Sequence, residues 1–152
     1  MSERVLTVIV PMYNVARFVD RLIETLSLQN QDIIEIIFVD DGSTDHTSVA
    51  LEGALKEGAL EAPWRIVKKN NGGLSDARNF GLSYSRTNYV TFLDPDDLIS
   101  PNFYYELVQR LEKTKSAVAL SSSVEVWPDG TKKACIYEDT VHEVTQENRF
   151  WT

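Results

Sequence analysis

Short apolar runs alternate along the chain with segments whose apolar residues recur every three or four positions. The runs are rich in β-branched residues, which is typical of buried strands. They predict five strands, the first of which stops at Pro11: residues 6–10, 33–39, 64–67, 89–93 and 117–123. The helical spacing between them predicts four helices, at residues 16–28, 47–59, 75–83 and 101–113.

Local residue preferences sharpen the ends of these elements. Ser75 is an expected N-cap of the third helix, and Pro101 suits the first turn of the fourth. Asp129-Gly130 is a strong hairpin signal and joins two further strand-like runs, at residues 124–128 and 131–136. Strands that alternate with helices predict an α/β fold with a mostly parallel sheet covered on both faces.

Polar clusters follow four of the predicted strands, at the point where each strand ends. Ligands of open parallel sheets bind beyond the carboxyl ends of the strands. We therefore expect four loops to meet at one edge of the sheet and to form a site there: residues 11–14, 40–45, 70–76 and 94–97.

The composition limits the kinds of partner and compartment. The 152 residues are enough for one domain, and the net charge of −8 argues against binding to nucleic-acid phosphates. Cys135 is the only cysteine, so an internal disulfide is excluded, which points to a reducing compartment. No apolar run is long enough to span a bilayer, and the first residues lack the features of a signal peptide. We expect a soluble, acidic, cytoplasmic protein.

Three carboxylates, Asp94, Asp96 and Asp97, lie within four residues after the fourth strand. Their mutual repulsion is relieved by water, by basic side chains or by a divalent cation. Carboxylate oxygens suit hard ions such as Mg²⁺ or Mn²⁺, which also bind phosphate oxygens. The alternative is a solvated turn in which Asp97 or Ser100 caps the next helix, and for Asp97 the capping role is favoured.

A second acidic turn follows the second strand. Asp40 and Asp41 can accept hydrogen bonds from ribose hydroxyls or from a base N–H. The alternative is capping of the next helix, which is the favoured role of Thr44 and Asp45. The Asp40-Asp41 pair exceeds what a cap requires.

The other two loops offer an aromatic ring and an anion site. The loop after the first strand lacks the G-x-G-x-x-G fingerprint, which argues against NAD or FAD. Tyr13 can stack there on a base, or it is an ordinary turn aromatic. In the third loop, backbone N–H groups around Gly73 and the Arg78 guanidinium can meet an anion. The alternative for Arg78 is an ion pair with one of the loop aspartates.

The remaining reactive side chains favour structural roles. His46 and His142 are expected at the surface, and Cys135 is expected to pack within the hairpin. The lysine pairs at positions 68–69 and 132–133 are expected to be solvated.

Taken together, the four loops resemble the motifs of glycosyltransferase family 2. These are V-I-V-P-M-Y-N at residues 8–14, V-D-D-G-S-T-D at 39–45, N-G-G-L-S-D-A-R-N-F-G-L at 71–82 and F-L-D-P-D-D at 92–97. They occur in the family's order and at its spacing, over residues 5–111. The resemblance implies the GT-A fold, a Rossmann-like α/β/α sandwich. It also implies a nucleotide-sugar donor, most often a UDP-sugar, bound with Mg²⁺ or Mn²⁺.

The resemblance implies roles for the residues around the base. By their positions in the motifs, Pro11 and Tyr13 would flank the uracil. Asp41 would hydrogen-bond the base, with Asp40 nearby.

At the other end of the nucleotide, Asp94 and Asp96 resemble the family's D-x-D motif. Asp94 would point toward the ribose, and Asp96 toward the metal and the diphosphate. Gly73 would belong to the nucleotide-binding loop, and Arg78 would lie near the nucleotide, against Asp41 or the phosphates. A divalent cation held there stabilises the charge that develops on a diphosphate leaving group.

The resemblance does not extend to the family's general base. Family members invert the anomeric centre with an Asp or Glu that lies beyond the donor-binding half, and no segment before Thr152 matches it. The available carboxylates are Glu138, Asp139 and Glu143. We expect residues 1–152 to be the nucleotide-sugar-binding part of a longer hexosyltransferase, with the base beyond Thr152. Such a part binds donor but transfers sugar poorly or not at all, and equal turnover by a longer chain would contradict this.

Two alternatives of other classes stay open. One is a non-catalytic domain that binds a nucleotide-sugar or a partner. The other is a signalling module, because Val39-Asp40-Asp41 resembles the acidic pair of a receiver domain, although that pair follows the first strand there and the second here.

The resemblance also suggests the setting in which the protein acts. The acceptor it implies is a glycan or a lipid-linked molecule in the biosynthesis of bacterial surface polysaccharides. Such an acceptor would be met at the inner face of the membrane, with peripheral association through segments outside this chain.

Overall fold

The computed structural model of the protein describes residues 4–56 and 58–136. These residues form two compact units, one up to residue 105 and the other from residue 106. In chain order the elements are β1 (Leu6–Met12), a 3₁₀ turn (Ala16–Phe18), α1 (Val19–Ser27), β2 (Ile34–Asp40), α2 (Thr47–Lys56), β3 (Trp64–Lys68), α3 (Leu74–Leu82), β4 (Tyr89–Phe92), α4 (Phe103–Thr114), β5 (Ser123–Val126) and β6 (Lys132–Cys135). The predicted alternation of strands and helices is confirmed through α4.

The first unit is built on a four-stranded parallel sheet in the order β3-β2-β1-β4. β1 lies between β2 and β4, and all seven of its residues are buried. β2 is buried everywhere except at Glu35, which is half-buried. The two central strands therefore have to be apolar on both faces, which explains their continuous runs of Val, Ile and Phe. The prediction of an α/β fold with a mostly parallel sheet is confirmed.

Pro11 lies inside β1, which extends two residues further than the sequence predicts. Its missing N–H is tolerated because successive residues of a strand direct their backbone groups to opposite sides. Ile9 accepts a hydrogen bond from Leu93 on the β4 side, and Met12 accepts one from Asp41 on the β2 side. Pro11 therefore faces the β4 side, beyond the last paired residues of β1 and β4. It ends the pairing with β4 while the pairing with β2 continues.

Helix α3 packs directly onto the two central strands. Ala77 of this helix forms a buried cluster with Ile9, Ile37 and Val39. Gly81 permits the close approach, since a Cβ added there would lie 2.5 Å from Ile9 Cγ2 and 2.9 Å from Val39 Cγ2. This contact fixes the helix that follows the third site loop.

Two helices begin at positions other than those predicted. α3 starts at Leu74, with Gly73 at the cap position and no side-chain cap, so Ser75 lies within the helix and is not its N-cap. α4 starts at Phe103, because Asn102 has a left-handed φ of 61° that no helical residue can have, and Pro101 lies in the preceding turn. No helix in the described parts of the chain is long and apolar enough to cross a membrane.

The second unit confirms the predicted hairpin but not the fifth strand. β5 and β6 pair antiparallel around Gly130, whose φ of 83° suits the turn, and Asp129 accepts a hydrogen bond from the Thr131 N–H. Residues 117–122 form no strand. Their β-propensity depends on packing against a neighbouring strand. Val118 and Leu120 are instead 65% and 70% exposed.

Replacing Gly81 with alanine tests the packing of α3 on the sheet. We expect Gly81→Ala to lower the free energy of unfolding by about 1–3 kcal/mol, because its Cβ overlaps buried side chains. The matched control is Gly53→Ala in α2, where an added Cβ has nothing within 4 Å. That variant should gain about 0.5–1 kcal/mol from helix propensity. If urea denaturation gave the same change in the free energy of unfolding for both variants, the close packing of Gly81 against Ile9 and Val39 would be contradicted.

Candidate functional site

A pocket of about 430 Å³ opens at the carboxyl ends of β1, β2 and β4. Its lining comes from all four of the loops that the sequence places at this edge of the sheet. The lining residues are Pro11, Met12, Tyr13, Val15, Asp41, Asn71, Gly73, Leu74, Ala77, Asp94, Pro95 and Asp96. Six of the eight site residues named from the sequence thus line one pocket, and the other two, Asp40 and Arg78, are not among its lining residues.

Asp41 is a buried carboxylate at the end of β2. It is 3% exposed, and its own N–H donates to Met12 O at 2.9 Å. Its carboxylate accepts hydrogen bonds from Lys69 Nζ at 2.7 Å and from the N–H groups of Gly72 and Gly73 at 3.0 and 2.8 Å. Burial raises the pKa of Asp41, but these hydrogen bonds outweigh it and hold the pKa below its ordinary value of 3.8. Asp41 is therefore an anion that serves only as an acceptor.

Lys69 is a site residue that the sequence analysis missed. Its side chain is 13% exposed, so the prediction of a solvated lysine is wrong. Nζ lies 2.7 Å from Asp41 Oδ1 and 2.5 Å from Asp76 Oδ2, and it donates to Asn70 O. The hydrogen bonds with Asp41 and then Asp76 raise the pKa of Lys69. Its position just beyond a strand, in a loop of the site edge, is the signal that could have found it.

The neighbouring lysine shows the contrast. Lys68 is 56% exposed, and its Nζ lies 3.7 Å from Glu52 Oε1 at the surface. The prediction of a solvated side chain is confirmed for Lys68. The two residues differ because β3 ends at Lys68, while the backbone N–H of Lys69 donates to Asp40 O and places its side chain at the site.

The glycine turn before α3 leaves room for this cluster. A Cβ at Gly72 would overlap the Asp76 carboxylate and lie 2.9 Å from Lys69 Nζ. Gly73 has a φ of 86°, which favours glycine, and presents its N–H to Asp41. The turn therefore requires small residues for two separate reasons.

Asp40 connects β2 to the start of α2. Its carboxylate accepts hydrogen bonds from Ser43 N at 2.9 Å and from Ser48 Oγ. Burial raises the pKa of Asp40, and the hydrogen bonds from Ser48 and Ser43 lower it to a value below 3.8. Asp40 thus faces its own loop, and its role toward a nucleotide stays a prediction.

Asn14 joins the first site loop to the second. It has a φ of 54°, and its side-chain oxygen accepts hydrogen bonds from the N–H groups of Thr44 at 2.8 Å and Asp45 at 3.2 Å. Thr44 therefore bonds Asn14 and does not cap α2. Asp45 does cap, by accepting from Thr47 N at 2.9 Å. These contacts hold the loop that carries the exposed Tyr13 ring.

Arg78 pairs with the first aspartate of the fourth loop. Arg78 Nη2 donates to both carboxylate oxygens of Asp94, at 2.8 and 3.0 Å. The expected ion pair with a loop aspartate is confirmed, and its partner is Asp94, not Asp41. The guanidinium also lies over the Phe92 ring, 5.6 Å from its centroid.

Asp96 and Asp97 follow in the same loop, and both are exposed. Arg21 donates to the backbone oxygen of Asp96 at 3.0 Å, and the Asp96 side chain lines the pocket. Partial burial, with the charges of Asp94 and Asp96, raises the pKa of Asp97 above 3.8. The favoured capping role of Asp97 is wrong, because α4 begins six residues later at Phe103. Arg21 thus places one cation beside Asp96.

This donor set fits a hard divalent cation. Among residues 4–56 and 58–136, no group of three or more His, Cys, Asp or Glu side chains is arranged to hold a metal. Mg²⁺ is commonly held by one or two carboxylates together with substrate phosphates. Asp94 and Asp96 offer two carboxylates among the residues that line the pocket.

The other reactive residues of the described chain lie elsewhere. His46 is exposed, as expected. Cys135 is also exposed, so the prediction that it packs within the hairpin is wrong, because both strands of that hairpin are exposed. His142, Glu138, Asp139 and Glu143 lie outside the described residues.

With this geometry in view, comparison with known proteins identifies the family. The model of Glycosyl transferase family 2 matches residues 7–137, so the chain belongs to that family. It is 38% identical over 109 residues to the uncharacterized glycosyltransferase EpsJ of Bacillus subtilis, across 72% of this chain and 31% of the relative. It is 39% identical over 118 residues to the minor teichoic acid biosynthesis protein GgaB of the same species, across 74% and 12%. The chain thus spans less than a third of either relative.

Solved structures show the same fold. TarS of S. aureus (residues 1–349) in complex with UDP-GlcNAc has a TM-score of 0.62 and 28% identity, over 72% of this chain and 31% of that one. The mannosyltransferase PcManGT of Pyrobaculum calidifontis, in complex with GDP-Man and Mn²⁺, has a TM-score of 0.64 and 24% identity, over 84% and 37%. The second likeness concerns the fold alone. The first unit has the GT-A fold that the resemblance implies.

Acid denaturation of Asp41→Asn tests the buried carboxylate. Because the folded-state pKa lies below the ordinary 3.8, the carboxylate stabilises the fold above that value. This contribution is lost as the pH falls through the folded-state pKa. Since Asn does not titrate, the unfolding free energy of the variant should fall less than that of the wild type between about pH 5 and about pH 2.

Urea denaturation at a series of pH values measures this difference. Glu61→Gln, on the exposed loop before β3, corrects for the loss of one negative charge. Parallel pH curves for the wild type and Asp41→Asn would contradict the low pKa of Asp41.

Proposed function

We propose that the chain is the donor-binding part of an inverting glycosyltransferase that takes a UDP-linked sugar and delivers the sugar to a glycan or lipid-linked acceptor. The observation that carries this proposal is the pocket at the sheet edge. It brings an aromatic ring, a buried ionised carboxylate and an aspartate pair to one place. A nucleoside diphosphate needs these three groups: a surface for the base, an acceptor for its N–H and oxygen ligands for a cation.

The choice of UDP is supported by a relative. TarS, which is 28% identical to this chain over the matched part, was solved with UDP and with UDP-GlcNAc. The sugar itself and the acceptor are not part of this support, because the chain covers less than a third of that protein.

At the base end, Tyr13 and Asp41 carry the proposed contacts. The Tyr13 ring is exposed and lines the pocket, so it offers a face on which a base can stack. A carboxylate has about four acceptor positions, and three donors occupy Asp41. Because the Gly72 N–H is shared by both oxygens, at 3.0 and 3.2 Å, a base N–H would replace the longer of these two contacts.

At the diphosphate end, Asp94 and Asp96 would hold Mg²⁺ or Mn²⁺ together with phosphate oxygens. When bound, the cation neutralises charge that develops on the departing diphosphate. Arg78 orients Asp94 through its two hydrogen bonds and leaves Asp96 as the more exposed ligand. The general base stays a prediction beyond Thr152.

A non-catalytic nucleotide-sugar-binding domain is the second candidate. The described pocket contains binding groups, and the sequence offers no marked general base. Sugar transfer by the longer protein separates this candidate from a transferase, whereas donor binding does not. Family membership disfavours the signalling module.

Calorimetric titration of UDP with and without Mn²⁺ tests the proposal. We expect Mn²⁺-dependent binding, and Asp96→Asn should weaken it by at least about tenfold, because even indirect partners of a metal ligand cost that much. The loss should be smaller without Mn²⁺.

The matched control is Glu61→Gln, which removes one negative charge from an exposed position away from the pocket lining. It should keep the affinity of the wild type. The absence of UDP binding at millimolar concentration, or equal Mn²⁺ dependence in Asp96→Asn and wild type, would count against the proposal.

A further inference from the structure

Lys69 has no role in the function proposed so far, although it is the most enclosed lysine of the site. Its ammonium contacts the carboxylates of Asp41 and Asp76 and the carbonyl of Asn70. An ammonium has three protons, and these three partners use all of them. Its position is therefore fixed, and it does not project into solvent as a mobile charge.

The partner that matters is Asp41. Without Lys69, this buried carboxylate would keep only the N–H groups of Gly72 and Gly73, and burial favours its neutral form. A protonated carboxyl donates one hydrogen bond, whereas a carboxylate only accepts. The protonation state therefore decides which base edge Asp41 can meet.

We propose that Lys69 is a positioning residue that keeps Asp41 ionised and oriented, so that the pocket prefers a base that offers an N–H donor. This inference rests on the proposed function. At ring position 3 uracil offers such a donor, whereas cytosine offers a lone pair there and carries its donors on the N4 amino group. An ionised Asp41 that faces ring position 3 attracts the uracil N–H and repels the cytosine lone pair.

The charges around Asp41 agree with this role. Lys69 faces it from the end of β3, and Asp76 reaches the same ammonium from α3. Asp40, the preceding residue, directs its carboxylate to Ser43 and Ser48. Across the pocket, Asp94 is paired with Arg78, and Asp96 lies at the rim. Lys69 is thus the cation that contacts Asp41 within the described residues.

The test measures the affinities of UDP and CDP with Mn²⁺ between about pH 5.5 and about pH 8, in the range where a perturbed carboxyl group can titrate. The wild type should prefer UDP throughout. Lys69→Met should lose UDP affinity by roughly tenfold or more, which matches the loss of a charged hydrogen bond. Its preference for UDP over CDP should also fall as the pH falls. Lys69→Arg should restore the wild-type preference.

Lys68→Met is the matched control, because it removes the same charge one residue away from an exposed position. A purely structural role for Lys69 would weaken UDP and CDP binding equally and at every pH. That result, or an unchanged Lys69→Met, would overturn the inference.

A second readout needs no nucleotide. The ¹³C shift of the Asp41 carboxyl carbon should titrate at higher pH in Lys69→Met than in the wild type. Asp76→Asn, which leaves Lys69 in place, should give a smaller change and serves if Lys69→Met does not fold. If the wild type binds no UDP but the ¹³C midpoint moves, the proposed function fails and the role of Lys69 in ionising Asp41 holds. An unmoved midpoint overturns that role.

Discussion

The site depends on one buried charge, the carboxylate of Asp41. A carboxylate removed from water is costly unless donors surround it, and the donors available at the end of β2 belong to the next loop along the sheet edge. Lys69, Gly72 and Gly73 supply them. The course of residues 69–73 is thereby determined by a requirement of β2, and α3 starts where that loop ends.

Two aspartates of the site each form an ion pair with a positively charged side chain. Lys69 neutralises Asp41, and Arg78 neutralises Asp94. Asp96 lines the pocket as well, and Arg21 contacts its backbone oxygen. The end of the pocket that we assign to the base is therefore balanced in charge by the protein itself, because Lys69 is paired with Asp41.

The sequence predicts most of the sheet because the strands β1 and β2 are buried on both faces. Short, continuous apolar runs rich in β-branched residues are compatible with few structures other than a buried strand. It also predicts which loops meet, since parallel strands end at the same edge. Contacts between loops are harder to predict from the sequence. Lys68 and Lys69 are adjacent and chemically identical. Only the position at which β3 ends decides that Lys68 lies at the surface and that Lys69 contacts Asp41. Residues 117–122 fail as a predicted strand for the same reason, because pairing is a property of neighbours and not of the segment.

Pro11 also affects where the pocket opens at the edge of the sheet. Two parallel strands that kept pairing beyond Ile9 and Phe92 would bring the loops after β1 and β4 together at hydrogen-bonding distance. Pro11 has no N–H to donate, so the two strands separate there, and Pro11 and Pro95 both line the pocket. The pocket thus opens where the pairing of β1 with β4 stops, and the missing N–H of Pro11 prevents that pairing from continuing.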